Sequence, residues 1–184
     1  MCMCDNTRRV VEETNKGSDE MIKVILMIGL PGSGKSTVAE KMLLSSKKTV
    51  IVSRDSIREM VCGKYKNYKF TDIKEDMVKS MATACIEVAI ERGLSVIVDE
   101  TNFTKKSRTY WMNMISCICE RKGVNVKYCG VWVDTPKGEC IKRRKADPKG
   151  TNDNWAAIIG NMLKYWDEPE ADEFDKLEII TDEV

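Results

Sequence analysis

Apolar residues gather in five short runs along this chain, each bounded by polar or glycine-rich stretches. IKVILMIG (22–29), TVIVS (49–53), SVIVD (95–99), NVKYCGVWV (125–133) and KLEIIT (176–181) are rich in β-branched residues. The first three are nearly uninterrupted, the pattern of strands buried on both faces. The intervening segments carry helical periodicity: 35–46, 71–93, 104–123, 135–145 and a stretch around 154–166. Thr71 and Glu75 open the second of these helices and Gly93 closes it. Ile73, Met77, Met81, Cys85, Val88 and Ala89 recur along it at helical spacing, and we take them as its core face. Strands alternating with helices predict an α/β fold with a parallel sheet and right-handed crossovers. Residues 1–20 are polar and aperiodic and read as a mobile leader; one domain then runs over 21–184.

The turn after the first strand carries chemistry. Gly29-Leu30-Pro31-Gly32-Ser33-Gly34-Lys35-Ser36 matches the G-x-x-x-x-G-K-[ST] phosphate loop. Glycines let successive backbone N–H groups turn toward phosphate oxygens, and the following helix adds its positive N-terminal end. Gly29, Gly32, Ser33, Gly34, Lys35, Ser36 and Thr37 are therefore candidate nucleotide contacts. Lys35 can reach the β- and γ-phosphates, and Ser36 can offer its hydroxyl to Mg²⁺.

Two further strand ends carry acids. Asp55, in Ser53-Arg54-Asp55-Ser56-Ile57-Arg58, follows the second strand on the edge where open α/β sheets bind ligands. A carboxylate there can accept the proton of an acceptor hydroxyl, or it can cap a helix. Arg58, three residues on, would share its helix face. The third strand ends in Asp99-Glu100-Thr101-Asn102, a Walker B pattern in which Asp99 is the candidate Mg²⁺ residue and Glu100 its competitor.

Composition narrows the chemistry. The 184 residues contain no histidine, so a general base must be a carboxylate, Lys, Cys or Tyr. Positions 167–184 hold nine acids and one lysine, a net of −8 that leaves +9 on residues 1–166, a balance compatible with a polyanionic partner. Lys64, Lys66 and Lys69 interleave with Tyr65, Tyr68 and Phe70, a pattern able to follow a phosphate backbone while rings stack on bases. Lys105, Lys106, Arg108, Tyr110 and Trp111 read as helix surface plus core. Lys142-Arg143-Arg144-Lys145 opens a polar stretch (142–153) read as a lid whose arginines neutralise a transferring phosphoryl group. Eight cysteines without an export signal imply reduced thiols and a cytoplasmic protein; the two C-x-C pairs lack a zinc spacing. No run is long enough to span a membrane.

In this order, GLPGSGKST, SRDSIR, YKFT, VIVDETNF and the KRR segment resemble the 5′-hydroxyl polynucleotide kinases of phage and bacterial nucleic-acid repair, over roughly residues 22–181. The resemblance implies a P-loop kinase with a five-stranded parallel sheet in the order 2-3-1-4-5 and helices on both faces. It implies ATP and Mg²⁺ as cofactors and the 5′-OH end of DNA or RNA as acceptor. It also implies Asp55 as general base with Lys35 and Arg143 as further catalytic residues, Arg143 and Arg144 on the ATP phosphates, and Arg58 on the acceptor; Lys64 of the lysine–aromatic stretch and Thr101 and Asn102 of the third strand end are further acceptor candidates. The family's second lid arginine has no obvious counterpart, and Lys149 stands nearest its place. The D-x-D-x-T phosphatase motif of many phage relatives is absent, so kinase activity alone is expected. Two other readings share the scaffold: a small-molecule kinase acting on a nucleoside, sugar or antibiotic, and a nucleotide-binding regulatory protein.

Overall fold

A computed structural model describes residues 21–63, 69–146 and 154–181. Five strands, β1 (Ile22–Ile28), β2 (Thr49–Val52), β3 (Ser95–Val98), β4 (Val126–Asp134) and β5 (Lys176–Thr181), form one sheet in the order β2-β3-β1-β4-β5. All four pairings are parallel, with Ile25 level with Ile97 on one side and Cys129 on the other. The α/β class and the expected strand order are both observed.

The uninterrupted apolar run of β1 follows from its central place. Val24, Leu26 and Ile28 face a core built with Val78, Ala82 and Ile86 of α3 (Asp72–Glu91) and Trp111 and Ile115 of α4 (Lys105–Lys122). The alternate residues Ile25 and Met27 face Ala39 of α1 (Lys35–Leu44) with Val131 and Val133. Successive strand side chains point to opposite faces, so a strand covered on both must be apolar throughout. α2 (Arg54–Cys62), α5 (Lys137–Ala146), α6 (Trp155–Leu163) and a 3₁₀ turn at Ala171–Glu173 complete the element set.

Local signals set the helix ends. The Thr71 side chain accepts the Lys74 N–H at the start of α3, and Thr104 and Ser107 form a capping box on α4. Gly123, at φ 65°, ends α4 in the left-handed conformation that costs glycine least.

The face that α3 buries differs from the expected one. Val78, Ala82, Ile86, Ala89 and Ile90 are inside, whereas Ile73, Met77, Cys85 and Val88 are exposed and Met81 is half-buried. Apolar residues occupy two adjoining stripes of this helix. The stripe with Ala82 between β-branched neighbours lets the backbone approach the sheet more closely than the methionine stripe does. Residues 142–146, placed at the start of a lid, are the final turn of α5; positions 147–153, with Lys149, lie outside the described residues.

Candidate active site

At the carboxyl end of β1 the chain turns through the phosphate loop. Gly32 (φ 85°) and Gly34 (φ 95°) adopt left-handed backbone that side chains disfavour. At Gly32 space also forbids one: a methyl group would stand 2.5 Å from the Cys140 carbonyl oxygen and 2.8 Å from Arg144 Cγ. The loop is pinned from both flanks. The Gly29 amide donates to the Thr101 carbonyl (3.0 Å), and the Thr135 hydroxyl to the Ser33 carbonyl (2.9 Å). Lys35 Nζ donates to the Leu30 carbonyl (3.3 Å). Burial pulls the Lys35 ammonium below lysine's usual range, against the opposing charges of Asp99, Asp55 and Glu100. Three carboxylates from two strand ends thus act on one lysine.

The two acids of the Walker B turn have different surroundings. Both Glu100 carboxylate oxygens accept from Arg54, through Nε, Nη2 and the backbone amide, each at 2.9 Å. Asp99 instead faces Lys35 and Ser36, and its Oδ1 is buried without a hydrogen-bond partner among the described residues. Burial raises the Asp99 carboxyl above its usual range, although a hydrogen bond with Ser36 and the charge of Lys35 lower it. An orphaned, desolvated carboxylate oxygen beside a serine hydroxyl fits a divalent cation. Mg²⁺ suits such a site because it commonly binds one or two carboxylates and completes its shell with phosphates and water.

Across the cleft, α2 presents Asp55 and Arg58. Ser53, not Asp55, is the N-cap of α2, which leaves the Asp55 side chain 58% exposed. Arg58 Nη1 donates to Asp55 Oδ1 (2.7 Å), while its Nε and Nη2 donate to the two Glu75 oxygens (3.0 and 2.6 Å). The Phe70 ring lies 5.6 Å from the Arg58 guanidinium. Burial works against the charge on Arg58, but the paired carboxylates, Glu75 foremost, hold its pKa above the usual guanidinium value.

On the third side, α5 closes against the loop. Arg143 Nη1 reaches the Ser33 carbonyl (3.4 Å) and its Nε donates to Glu139 (3.2 Å). The Arg144 guanidinium stacks on Trp155 at 3.9 Å.

The expected residues converge in part. Gly29, Gly32, Ser33, Gly34, Lys35, Ser36, Asp55, Asp99, Arg143 and Arg144 border one cleft. Lys64 lies outside the described residues. Asn102, expected on the acceptor, is turned inward: it is 2% exposed, holds φ 44°, and its amide donates to the Met27 carbonyl (2.8 Å). Thr101, half-buried beside it, meets the loop through its backbone carbonyl. Arg108, grouped with surface lysines, is fully buried, paired with Glu173 (2.7 Å) and bonded to the carbonyls of Asn102 and Asp167. Sequence alone gives Glu75 only a part in opening its helix, and it singles out neither Arg54 nor Thr135. The one signal toward them is the opposite charge of Arg54 and Glu100 at two strand ends.

Sheet order, glycine loop and Walker B acid together define the fold of the P-loop kinases. The chain belongs to the AAA domain family AAA_33, whose model matches residues 24–161. It is 28% identical over 151 residues to the L-seryl-tRNA(Sec) kinase of Methanococcus maripaludis, covering 79% of this chain and 53% of that protein. It is 25% identical over 124 residues to the shikimate kinase of Corynebacterium glutamicum (67% of this chain, 64% of the relative). A shorter match, 26% over 95 residues, is to the bifunctional polynucleotide phosphatase/kinase of Schizosaccharomyces pombe, covering 50% of this chain and 18% of that one. The chain thus spans under two thirds of each of these relatives. In fold it resembles the Pnkp1/Rnl/Hen1 RNA repair complex (TM-score 0.62, 21% identity, 80% of this chain and 47% of that one). It also resembles the APS kinase CysC of Mycobacterium tuberculosis (TM-score 0.57, 19% identity, 89% and 90%). No helix among the described residues is long and apolar enough to cross a membrane.

Proposed function

We propose that this protein is an ATP- and Mg²⁺-dependent kinase that transfers the γ-phosphoryl group to the 5′-hydroxyl end of DNA or RNA. The observation that carries the reading is the placement of Asp55. Its exposed carboxylate is held by Arg58 and acts electrostatically on Lys35 of the phosphate loop. A general base must meet the acceptor hydroxyl opposite the phosphates, and an exposed acid on this side of the cleft suits that task.

In this reading the loop amides and Lys35 bind the β- and γ-phosphates, with Ser33, Gly34 and Thr37 lining the same turn. Ser36 and Asp99 would hold Mg²⁺, which would neutralise charge on the phosphates. Asp55 accepts the proton of the attacking hydroxyl at a carboxylate oxygen. Arg58 orients Asp55 and stands beside the acceptor, while Arg143 and Arg144 cover the phosphoryl group from α5. The basic balance of residues 1–166 and the polynucleotide phosphatase/kinase relative support a nucleic-acid acceptor.

The seryl-tRNA(Sec) kinase match favours a second reading, in which the acceptor is a seryl hydroxyl at a tRNA end. One experiment separates them. Transfer of labelled γ-phosphate is measured to a 5′-hydroxyl oligonucleotide, its 5′-phosphorylated twin, seryl-tRNA, shikimate and a panel of nucleosides. Label on the 5′-hydroxyl oligonucleotide alone is the expected result. Label on seryl-tRNA or a small molecule instead would replace the reading.

A further inference from the structure

Asp55 has a support that the sequence did not disclose. Its side chain is mostly exposed, and an exposed aspartate on a short helix samples several rotamers, which is a poor state for a base that must meet one hydroxyl. Arg58 fixes one oxygen, Oδ1, at 2.7 Å and leaves the other for a ligand. Arg58 by itself would be no better fixed, since a long flexible side chain holding one monodentate bond can swing. It is fixed because Glu75, from the first turns of α3, takes its Nε and Nη2 in a two-pronged pair. Two donors on the edge that faces Glu75 and a third on Asp55 leave the planar guanidinium a single orientation. The Phe70 ring lies 5.6 Å from the guanidinium carbon, and only about a tenth of the arginine side chain meets solvent.

We propose that Glu75 is a positioning residue, which locks the guanidinium of Arg58 and through it aims the Asp55 carboxylate into the cleft beside Lys35. The inference rests on the assignment of Asp55 as the base, yet it has a consequence that any acceptor, or none, leaves measurable. Neutralising Glu75 breaks the two-pronged pair, since an amide offers one acceptor oxygen where a carboxylate offers two. The guanidinium then keeps its bond to Asp55 without the pair that orients it, and the Asp55 side chain regains rotamer freedom.

The test uses Glu75→Gln, Arg58→Ala and the double variant of the full chain. Rotamer order of the Asp55 side chain is followed by carbon-13 NMR relaxation of its β-carbon at fixed pH, and phosphoryl transfer to the 5′-hydroxyl oligonucleotide is assayed in parallel. In Glu75→Gln we expect the Asp55 side chain to lose order and kcat to fall about tenfold or more at unchanged KM for ATP. In the Arg58→Ala background the same change adds little to either measurement, because the path through Arg58 is already cut. A Glu75→Gln protein that loses thermal stability while keeping its Asp55 order and kcat would reduce Glu75 to a pin between α2 and α3. Full additivity with Arg58→Ala would likewise overturn the proposal. Should wild type transfer nothing to the oligonucleotide, the kinase reading fails, and the NMR relaxation still decides the role of Glu75.

Discussion

Arg54 closes on Glu100 with three donors, two from its guanidinium and one from its backbone amide, so that this carboxylate has both oxygens engaged. The consequence falls on its neighbour. Asp99, one residue earlier, keeps an oxygen without a partner among the described residues and faces Ser36 and Lys35. Two adjacent acids that look alike in sequence thereby differ: Glu100 is taken up by the turn, and Asp99 keeps a buried oxygen unpartnered among the described residues.

Asp99→Asn should accordingly cause a steep loss of phosphoryl transfer at fixed Mg²⁺, partly recovered as Mg²⁺ is raised. Glu100→Gln should leave the Mg²⁺ requirement unchanged and lower stability by about 1–3 kcal/mol, the range for hydrogen bonds to charged groups. Mg²⁺ titrations and thermal melts on both variants check the division.

Stability of the nucleotide-free protein should respond to Asp99 in the opposite sense. Burial holds its carboxyl above the unfolded value of 3.8, so the folded state binds this proton more tightly. That contribution is fully present below pH 3.8 and is lost as pH rises through the folded value. At neutral pH the charged, orphaned carboxylate therefore costs stability. Asp99→Asn should melt higher than wild type at neutral pH, with the difference shrinking on acidification. Melting curves across that pH range give the answer.

Asp55→Asn should lower kcat by about 10²–10⁴-fold, the usual yield of general-base catalysis, with little change in ATP affinity. Steady-state kinetics beside direct ATP binding measure the two separately. A loss confined to ATP binding would remove Asp55 from its proposed role.

Arg108 and Glu173 form a pair with 0% and 4% side-chain exposure. Burial pushes Glu173 upward, but Arg108 overcomes it and holds the carboxyl below its ordinary value. Removing one partner strands the other charge, so Glu173→Gln should destabilise by about 3–5 kcal/mol. Urea unfolding monitors this, and the loss should grow from acid to neutral pH as the wild-type carboxylate ionises.

The buried stripe of α3 makes a last pair of outcomes. Ile86→Ala should cost about 2–5 kcal/mol, and Ile73→Ser, on the exposed stripe, should leave the unfolding midpoint where it is. Denaturant midpoints of the two proteins distinguish the faces directly.

Much of this architecture is legible in the chain. The apolar runs of β1 and β3 mark strands buried on both faces, and the strand-then-glycine-loop pattern places the phosphate site. What escaped depends on rotation and partnership. Ile73 and Val78 are both plausible core residues on helical spacing, and only the approach of the helix to the sheet chooses between them. The sequence could not separate Asp99 from Glu100 because the choice is made by Arg54, 46 residues from the glutamate it holds. Asn102 looked like a ligand contact from its motif, yet its left-handed backbone aims the amide back at β1. Arg108 stood among exposed lysines, and its buried partner lies 65 residues downstream.

The packing of Gly32 against Cys140 and Arg144, with the Thr135 and Arg143 bonds to Ser33, makes the phosphate loop and α5 one mechanical piece. Linkage then runs both ways: whatever free energy nucleotide binding adds to the seating of the helix, a seated helix adds to nucleotide binding. Slower hydrogen exchange of α5 amides would report an occupied loop, and a loosened Thr135 contact would appear as weaker nucleotide affinity without touching a phosphate.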